Sequence, residues 1–391
     1  MNQRNHRKRQ TFPRLIFQPR ALKFLLLVLA AALINAHASE TRAQLGNGGG
    51  VEVLRYGAKC DGRTDDTLAL GRAIKAAASK CVIAASQDAT NQNYISLPAG
   101  RTCVVKSTLI FPGSCVGIRG NGAVLDFHAL SFSAASTVAI SIVSSHPSSP
   151  YGDNLVPWDE LHLIGPGSSS ATVGIRIETG QTVIERPDIN GFGVGVQFGN
   201  FAFVDQIDHP SIWNTGVGVD CPAGLKNAGE NITINQGVIF NSEIGVRSYG
   251  CGITMNETSF DGLGNSAIIT RAGFRCFGCY IEYFAAISAP VFDISNCNAW
   301  SFVDFHGGQI QNDHPSANIR ALVSIHPEHI CGGSGPWASF EDVFFANLNP
   351  RARCDRGAGP TCIIGSNSRD VRILDSTSGS GGGGMGNVHL P

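Results

Sequence analysis

The second half of the chain carries four side chains that together could perform acid–base chemistry on a charged substrate. They provide two carboxylates, one guanidinium and one imidazole, from Asp208, Arg275, Asp304 and His306. An imidazole exchanges a proton near neutral pH, and a nearby carboxylate can orient it. A guanidinium can hold an anionic group or stabilise negative charge that develops during a reaction. We therefore predict that these four residues are catalytic.

An apolar residue stands before each predicted bend of the chain. These residues are Ile189, Ile212, Ile239, Phe260, Ile281 and Ile310. Each of the four candidate residues lies at a fixed number of positions before one of them. Four residues earlier stand Glu185, Asp208, Asn235, Asn256, Phe277 and His306. Six residues earlier stand Val183, Gln206, Thr233, Thr254, Arg275 and Asp304. Because side chains alternate along a strand, we expect both sets to point outward and intervening residues, such as Ile207 and Phe305, to point inward.

The predicted sheet face changes in character along its length. It begins with acids, continues with amides and hydroxyls, and ends with the mixed charges of Arg275, Asp304 and His306. We assign substrate contacts to the residues around the catalytic group, which are Glu185, Gln206, Asn235, Asn256 and Phe277. For the middle of the face a purely structural role is equally open, because stacked Asn and Thr side chains stabilise stacked strands.

The elements that position these residues are copies of a repeat. A strand and a bend lead to Gly and Val in segments 189–196, 212–219 and 239–246, and looser copies end at Ile268 and Ile287. The drifting spacing, near 23 residues, is typical of β-solenoid coils and lacks the signatures of leucine-rich repeats or propeller blades. Stacking about ten coils at about 4.8 Å would give a rod of about 48 Å.

A start module precedes the repeat. A strand at Val51–Leu54 leads into residues 56–67, Tyr-Gly-Ala-Lys-Cys-Asp-Gly-Arg-Thr-Asp-Asp-Thr, and then into an Ala-rich helix. Thr64 or Asp65 can cap this helix, and the carboxylate of Asp66 suits the positive end of its first turn. We interpret the aspartates of the motif as turn and cap residues rather than catalytic ones.

This start module resembles that of the pectate-lyase-like superfamily, which includes rhamnogalacturonase- and epimerase-like domains and phage tailspike-type proteins. The resemblance continues through Ile95–Gly100 and Val116–Gly122, and so covers about residues 51–127. It implies an all-β fold, namely a right-handed parallel β-helix (β-solenoid) with an N-terminal capping α-helix. It also implies an acidic or rhamnose-containing polysaccharide as substrate.

A β-helix offers a long shallow groove that suits a sugar chain, and a polysaccharide lyase is our leading interpretation. Arg275 and His306 would serve as base or as stabiliser of the enolate formed from a uronate, while Asp208 and Asp304 would be acid partners or calcium ligands. Beyond that calcium role we assign no metal ligands.

Two other functions stay open. A glycoside hydrolase of the rhamnogalacturonase or polygalacturonase type would need two carboxylates, about 6.5–9.5 Å apart if it inverts. The Asn-x-Asp, Gly-His-Gly and Arg-x-Lys motifs of polygalacturonases are absent, and Asp65-Asp66 falls in the start module, which counts against that branch. A non-catalytic carbohydrate-binding or surface-structural solenoid would line its groove with Asn, Thr and aromatic residues such as Phe277 and Trp213.

Residues 1–38 have the layout of an export signal. Seven Arg or Lys residues and no acid precede the apolar run Phe24–Ile34, which is followed by Ala36-His37-Ala38. This predicts a cleaved signal peptide and a secreted or periplasmic protein, because a membrane anchor needs about 20 apolar residues. Cleavage changes the formal net charge from −1 to −8, which disfavours nucleic acid as a partner.

Composition favours one folded domain after the leader. The chain has 47 glycines and only 15% charged residues, which excludes coiled coils and general disorder. We divide it into a signal peptide (1–38), a linker (39–50), a single β-helix domain (51–375, with 51–114 as cap module) and a flexible Gly/Ser-rich tail (376–391). The sequence leaves the oligomeric state open.

Twelve cysteines in an exported chain predict disulfides. We expect local bridges, of which the plausible ones are Cys60–Cys81, Cys103–Cys115 and Cys354–Cys362, although the spacing does not fix the connectivity. The Cys-x-x-Cys pair at Cys276 and Cys279 has no second ligand pair at zinc-site spacing, so we interpret it as structural.

Overall fold

The computed structural model describes residues 50–83, 89–90, 92–130, 137–144, 156–283, 289–294, 302–312, 323–325, 338–346, 363–364, 371–374 and 377–379. These residues form three parallel sheets, one α-helix, one 3-10 helix and a short antiparallel pair of strands. No helix in this part of the chain is long and apolar enough to cross a bilayer.

The three sheets run side by side, and the chain visits each of them once per coil. Sheet 1 contains β1 (Val51–Glu52), β5 (Asn93–Ser96), β8 (Val116–Arg119), β11 (Trp158–Asp159), β14 (Val183–Glu185), β17 (Gln206–Asp208), β20 (Ile232–Asn235), β23 (Ile253–Asn256), β26 (Gly273–Phe277), β29 (Phe302–His306), β32 (Ala338–Glu341) and β35 (Val371–Leu374). Sheet 2 contains β2 (Asp61–Asp65), β6 (Thr102–Val104), β9 (Val124–Asp126), β12 (His162–Ile164), β15 (Asp188–Asn190), β18 (Ser211–Trp213), β21 (Val238–Phe240), β24 (Ser259–Asp261), β27 (Tyr280–Tyr283), β30 (Gln309–Asn312), β33 (Phe344–Ala346) and β36 (Thr377–Gly379). Sheet 3 contains β7 (Leu109–Pro112), β10 (Thr137–Val143), β13 (Thr172–Glu178), β16 (Val194–Phe198), β19 (Val217–Cys221), β22 (Ile244–Ser248), β25 (Ile268–Thr270), β28 (Phe292–Ile294), β31 (Val323–Ile325) and β34 (Ile363–Ile364). The antiparallel pair is β3 (Val82–Ile83) with β4 (Ala89–Thr90).

The predicted right-handed parallel β-helix is confirmed. Its core is a stack of apolar columns, and one of them joins Val196, Val219, Val246 and Ile268 as successive register partners. The prediction that Ile287 continues this column is wrong. Phe292 pairs with Ile268 instead, so this step is 24 residues, close to the repeat, whereas Ile287 would have made it only 19.

The four passages from sheet 1 to sheet 2 that follow β14, β17, β20 and β23 use the same tight bend. Its first residue is left-handed, with φ between 49° and 52° at Arg186, His209, Gln236 and Glu257. This uniform bend keeps neighbouring coils in register, which is why counting back from the bend predicts the strand faces. The expected ten coils are nine over residues 115–350 of the described chain, because the chain is long between β9 and β11 and between β30 and β32.

The helix α1 (Thr67–Ala78) packs against the 3-10 helix Val53–Tyr56 and against the first strands of sheets 1 and 3. Its buried face contains Leu70, Ala73, Ile74 and Ala77. The strand expected at 51–54 ends at residue 52, because the 3-10 helix begins at Val53.

The aspartates of the start motif have structural partners. Asp65 Oδ1 accepts from the Thr67 backbone N–H (3.0 Å), but the N-cap residue is Asp66, so the prediction of Thr64 or Asp65 as the cap is wrong by one residue. Asp66 lies just before the first turn rather than within it, and its carboxylate accepts from the backbone N–H groups of Lys59 (2.6 Å) and Cys60 (2.9 Å).

Three of the four disulfides among the described residues join cysteines 30 to 43 residues apart in sequence, and the fourth closes the Cys-x-x-Cys pair. The bridges are Cys60–Cys103, Cys81–Cys115, Cys221–Cys251 and Cys276–Cys279. The expected pairs Cys60–Cys81 and Cys103–Cys115 are wrong, because stacking of coils brings together residues about one coil or more apart in sequence. Cys354 and Cys362 lie outside the described residues, as do the leader 1–38 and most of the expected tail, from which Thr377–Gly379 pair with β33.

Candidate functional site

The outward face of sheet 1 contains every residue predicted for the site. In register, one column runs through Glu185, Asp208, Asn235, Asn256, Phe277 and His306. The second column runs through Gln206, Thr233, Thr254, Arg275 and Asp304. The intervening Ile207, Ile234, Met255, Cys276 and Phe305 are buried, so the predicted alternation is confirmed.

The C-terminal end of this face brings an imidazole between two carboxylates. His306 Nε2 lies 2.9 Å from Asp304 Oδ1, on the same strand, and His306 Nδ1 lies 3.4 Å from Glu341 Oε2, on the next strand. The ring also stacks on Phe277, with centroids 5.4 Å apart and planes 15° apart. These contacts fix the imidazole plane and hold it at the surface.

Arg275 provides the cation of this end. It is exposed on β26, beside Asp304 in register, and its Cζ lies 4.7 Å from the centroid of the Phe302 ring. Within the described residues it forms no salt bridge. Its positive charge is therefore directed to solvent, where an anionic ligand can reach it. We call Arg275, Phe277, Asp304, His306 and Glu341 the imidazole cluster.

The structure separates Asp208 from the other predicted catalytic residues. Three strand steps lie between Asp208 and Arg275, which corresponds to about 14 Å at about 4.8 Å per step. Asp208 and Asp304 are four steps apart, about 19 Å, so they cannot ligate one calcium ion together. Among the described residues a metal-like grouping occurs at Cys60, Asp66 and Cys103, but its sulfurs form a disulfide.

Asp208 has donors of its own. Gln206 Nε2 donates to both carboxylate oxygens at 2.8 Å, and Asn235 Nδ2 donates to Oδ1 at 2.8 Å. Asn256 Nδ2 in turn donates to Asn235 Oδ1 at 2.7 Å. This amide ladder supports the structural interpretation of the middle of the face, because it satisfies the nearly buried carboxylate.

The N-terminal end of the face is a network of charges. Arg186 Nη2 donates to Asp159 Oδ1 (2.6 Å) and Glu160 Oε1 (3.4 Å), and Arg186 Nη1 lies 3.8 Å from Glu185 Oε2. Burial raises the pKa of the Asp159 carboxyl, and the neighbouring guanidinium of Arg186 opposes that rise. We call Asp159, Glu160, Glu185 and Arg186 the acidic cluster.

A buried acid lies beside this face. Asp205, directly before β17, is 1% exposed, and its Oδ1 accepts from the Thr182 backbone N–H at 2.8 Å. Its other oxygen has no hydrogen-bond partner in the described part of the chain. Burial raises the pKa of Asp205 well above the ordinary value, and the hydrogen bonds from Thr182 only partly oppose it.

Sequence reasoning missed four charged residues of these clusters, and two of them, Glu160 and Arg186, occupy left-handed bend positions. Glu341 and Asp159 occupy the same column as His306 and Glu185, but the long connections before them interrupt the count of coils. Arg186 was overlooked because it occupies the bend. Trp213, considered for the groove, lies on sheet 2 and not on this face.

Comparison with known proteins identifies the fold. No protein-family model and no curated protein sequence matches the chain. The solved structure of ORF18 of Geobacillus virus E2 aligns with a TM-score of 0.50 and 12% identity, over 91% of this chain and 65% of that one. The enzymatically active domain of tailspike protein 2 of bacteriophage CBA120 aligns with a TM-score of 0.56 and 15% identity, over 84% of this chain and 47% of that one.

The chain therefore spans about two thirds and about half of the lengths of these two structures. At such identities the similarity concerns the fold. The chain has a parallel β-helix fold, as the resemblance of the start motif implies.

Proposed function

We propose that the protein is a polysaccharide lyase that acts on a uronate-containing chain at the imidazole cluster. The observation that carries this proposal is the exposed guanidinium of Arg275 next to an imidazole flanked by two carboxylates. An acidic sugar needs a local cation, because the mature chain has a negative formal charge. A proton acceptor and a cation on one open face are the two requirements of β-elimination.

The groups have distinct roles in this proposal. Asp304 favours a proton on His306 Nε2, so that Nδ1 is the nitrogen that accepts the C5 proton of the uronate. Glu341, beside Nδ1, then stabilises the imidazolium that forms. Arg275 neutralises the charge that develops on the uronate carboxylate. The electron pair of the C5–H bond forms the C4–C5 double bond. The electron pair of the C4–O bond goes to the glycosidic oxygen, which takes the proton from the His306 imidazolium and leaves as an alcohol.

The rest of the face would hold the chain. Phe277 is 40% exposed beside the imidazole and offers an apolar surface to a sugar ring. Asn256, Asn235 and Gln206 continue toward the acidic cluster and supply amides for hydroxyl groups. In this proposal the polysaccharide lies along sheet 1 and contacts the residues predicted for substrate binding, which are Glu185, Gln206, Asn235, Asn256 and Phe277.

A panel of acidic polysaccharides tests this function. A lyase produces ultraviolet absorbance from the unsaturated product together with new reducing ends. Reducing ends without absorbance would indicate hydrolysis, and binding without either signal would indicate a non-catalytic protein. Both of these outcomes contradict the lyase proposal.

Hydrolysis is the second candidate, and the acidic cluster favours it. Asp159, Glu185 and Asp208 are successive register partners, so neighbouring carboxylates are about 4.8 Å apart along the axis and the outer two about 9.6 Å. These separations cover those of retaining and inverting glycosidases. The firm pairing of these acids with Arg186, Gln206 and Asn235 makes this candidate the weaker one.

We also propose that the mature chain begins near Ser39 and acts outside the cytoplasm. Four disulfides and the basic, apolar leader support export. N-terminal sequencing of the exported form and thiol titration after denaturation test this. A mature chain that retains Phe24–Ile34, or one with several titratable thiols, would contradict it.

A further inference from the structure

A pocket of about 390 Å³ opens on sheet 2, away from the sheet 1 face. It lies where sheet 2 passes to sheet 3 in the N-terminal half of the β-helix. The segment 164–168 forms one wall, and the polar side chains of His128, Asn190 and Asn214 line the remainder. Its volume falls within the usual range of small-molecule sites, about 300–1,000 Å³.

Glycines make room for this pocket. A Cβ atom added to Gly165 would lie 2.4 Å from the carbonyl oxygen of Gly191, so these two backbones approach too closely for a side chain. Gly191 has a φ of +75°, in the left-handed region that glycine adopts without strain. The bends therefore pack backbone against backbone, and the space outside them stays open.

The polar groups of the pocket are oriented by hydrogen bonds to neighbouring coils. Asn214 Nδ2 donates to Asn190 Oδ1 (3.0 Å), and Asn241 Nδ2 donates to Asn214 Oδ1. His128 Nδ1 lies 2.8 Å from Asp126 Oδ1, and a proton on Nδ1 makes Nε2 an acceptor. The pocket thus offers fixed amide and imidazole groups, and its lining contains no Lys or Arg.

An aromatic surface flanks the pocket. Trp213 is the register partner of Asn190 and precedes Asn214, so it lies directly beside the lining. Its ring stacks on Phe240 with centroids 5.4 Å apart and planes 9° apart, and its Nε1 donates to Asp188 Oδ1 at 2.7 Å. The indole is held flat and is partly exposed.

We infer that this pocket binds a neutral sugar unit of a polysaccharide, and that Trp213 supports the adjoining unit. Hydroxyl groups pair with neutral amides and an imidazole, and the C–H face of a sugar ring packs on an indole. A uronate would find no cation here, in contrast to the imidazole cluster with Arg275. The protein would therefore hold a glycan at a second site, on a different sheet from the proposed catalytic one.

Two tryptophan substitutions in neighbouring serines test the site. Ser168 lines the pocket and is exposed, so Ser168→Trp should fill it, whereas the adjacent exposed Ser169 is the matched control. An array of neutral and uronate-containing oligosaccharides would first identify a bound neutral glycan. Calorimetric titration of that glycan should show loss of binding in Ser168→Trp and parent-like affinity in Ser169→Trp.

His128→Ala keeps the test decisive if Ser168→Trp does not fold. His128 is largely exposed, and removing one hydrogen-bonding group should weaken the neutral glycan by about three- to tenfold. His306→Ala should leave this binding unchanged, which separates the inference from the proposed function. Absence of glycan binding, binding of uronates only, or neutral binding that survives both pocket substitutions would overturn the inference.

Discussion

The acidic cluster and the imidazole cluster lie on one sheet face and contain similar residue types, yet their charges have different partners. Arg186 contacts three carboxylates at once, and Asp208 accepts from Gln206 and Asn235. Arg275, by contrast, forms no salt bridge within the described residues and faces solvent. At one end of the face the charges are paired with each other, and at the other end the guanidinium of Arg275 is exposed to solvent.

This difference means that residue types alone do not identify the functional end of the face. Both ends contain acids beside a cation. Charged groups that already pair with each other are less available to bind a substrate. An exposed surface ion pair contributes only about 0–1 kcal/mol, so the pairing at the acidic cluster is a modest stabilising feature. The following substitutions test whether the two ends differ.

The largest effect is expected at the imidazole cluster. His306→Ala removes the proposed base and should reduce turnover by a factor of about 10²–10⁴ while the thermal transition stays close to that of the parent. His162 is a matched control, because it lies 3.2 Å from Asp188 in a similar pair on sheet 2. His162→Ala should keep activity, and so should Asn235→Ala. Full activity in His306→Ala would refute the assignment.

A smaller effect, on stability rather than on turnover, is expected for substitution of Asp205, which lies beside the acidic end. Its pKa is raised in the folded state, so its contribution to stability is fully present below the unfolded value of 3.8 and is lost as the pH rises toward the folded value. Each pH unit between the two values costs about 1.4 kcal/mol. Asp205→Asn cannot ionise, so its gain in unfolding free energy over the parent should increase from pH 4 to pH 7.

The opposite pH dependence of the unfolding free energy is expected for substitution of Asp61, which serves as the control. Hydrogen bonds from Thr64 and Arg63 lower the pKa of its carboxyl. Its stabilising effect is therefore present above 3.8 and lost as the pH falls through the folded value. Asp61→Asn should be less stable than the parent at pH 7, and this deficit should vanish in acid. Parallel pH profiles for the two variants would contradict at least one of the two assignments, and the direction of the shared slope would show which.

The smallest effect is expected at Arg186. Arg186→Met removes the shared partner of three carboxylates and should lower the unfolding free energy by about 1 kcal/mol, because the pairs are partly exposed. Arg55→Met, which breaks one exposed pair with Glu52, should cost less. Turnover should stay at the parent level. A loss of turnover comparable to that of His306→Ala would instead identify the acidic cluster as the catalytic end.

The sequence predicts the sheet 1 face correctly where the coil is regular. The same left-handed bend follows each strand from Glu185 to Asn256, so a fixed count from Ile212 or Ile239 identifies outward residues. Apolar alternation then separates the core from the surface.

Prediction fails where contacts depend on the length of a connection. Glu341 and Asp159 follow long connections, so the count does not reach them. The prediction of disulfide pairs fails for a related reason, since Cys60 contacts Cys103 through the stacking of coils and not through proximity in sequence. Partners such as those of Arg186 depend on side-chain reach, which a repeat pattern does not encode.

The central claim is that Arg275, which forms no salt bridge within the described residues, provides its charge to an acidic sugar, and a matched pair of substrates tests it most directly. The first is a uronate polysaccharide that the parent degrades, and the second is the same polymer with a fraction of its carboxyl groups reduced to alcohols. Arg275→Ala should lose most of its affinity and turnover on the first, and the parent's own advantage over Arg275→Ala should shrink as the reduced fraction rises. An equal advantage on both polymers, or full activity of Arg275→Ala on the uronate polymer, would contradict the account.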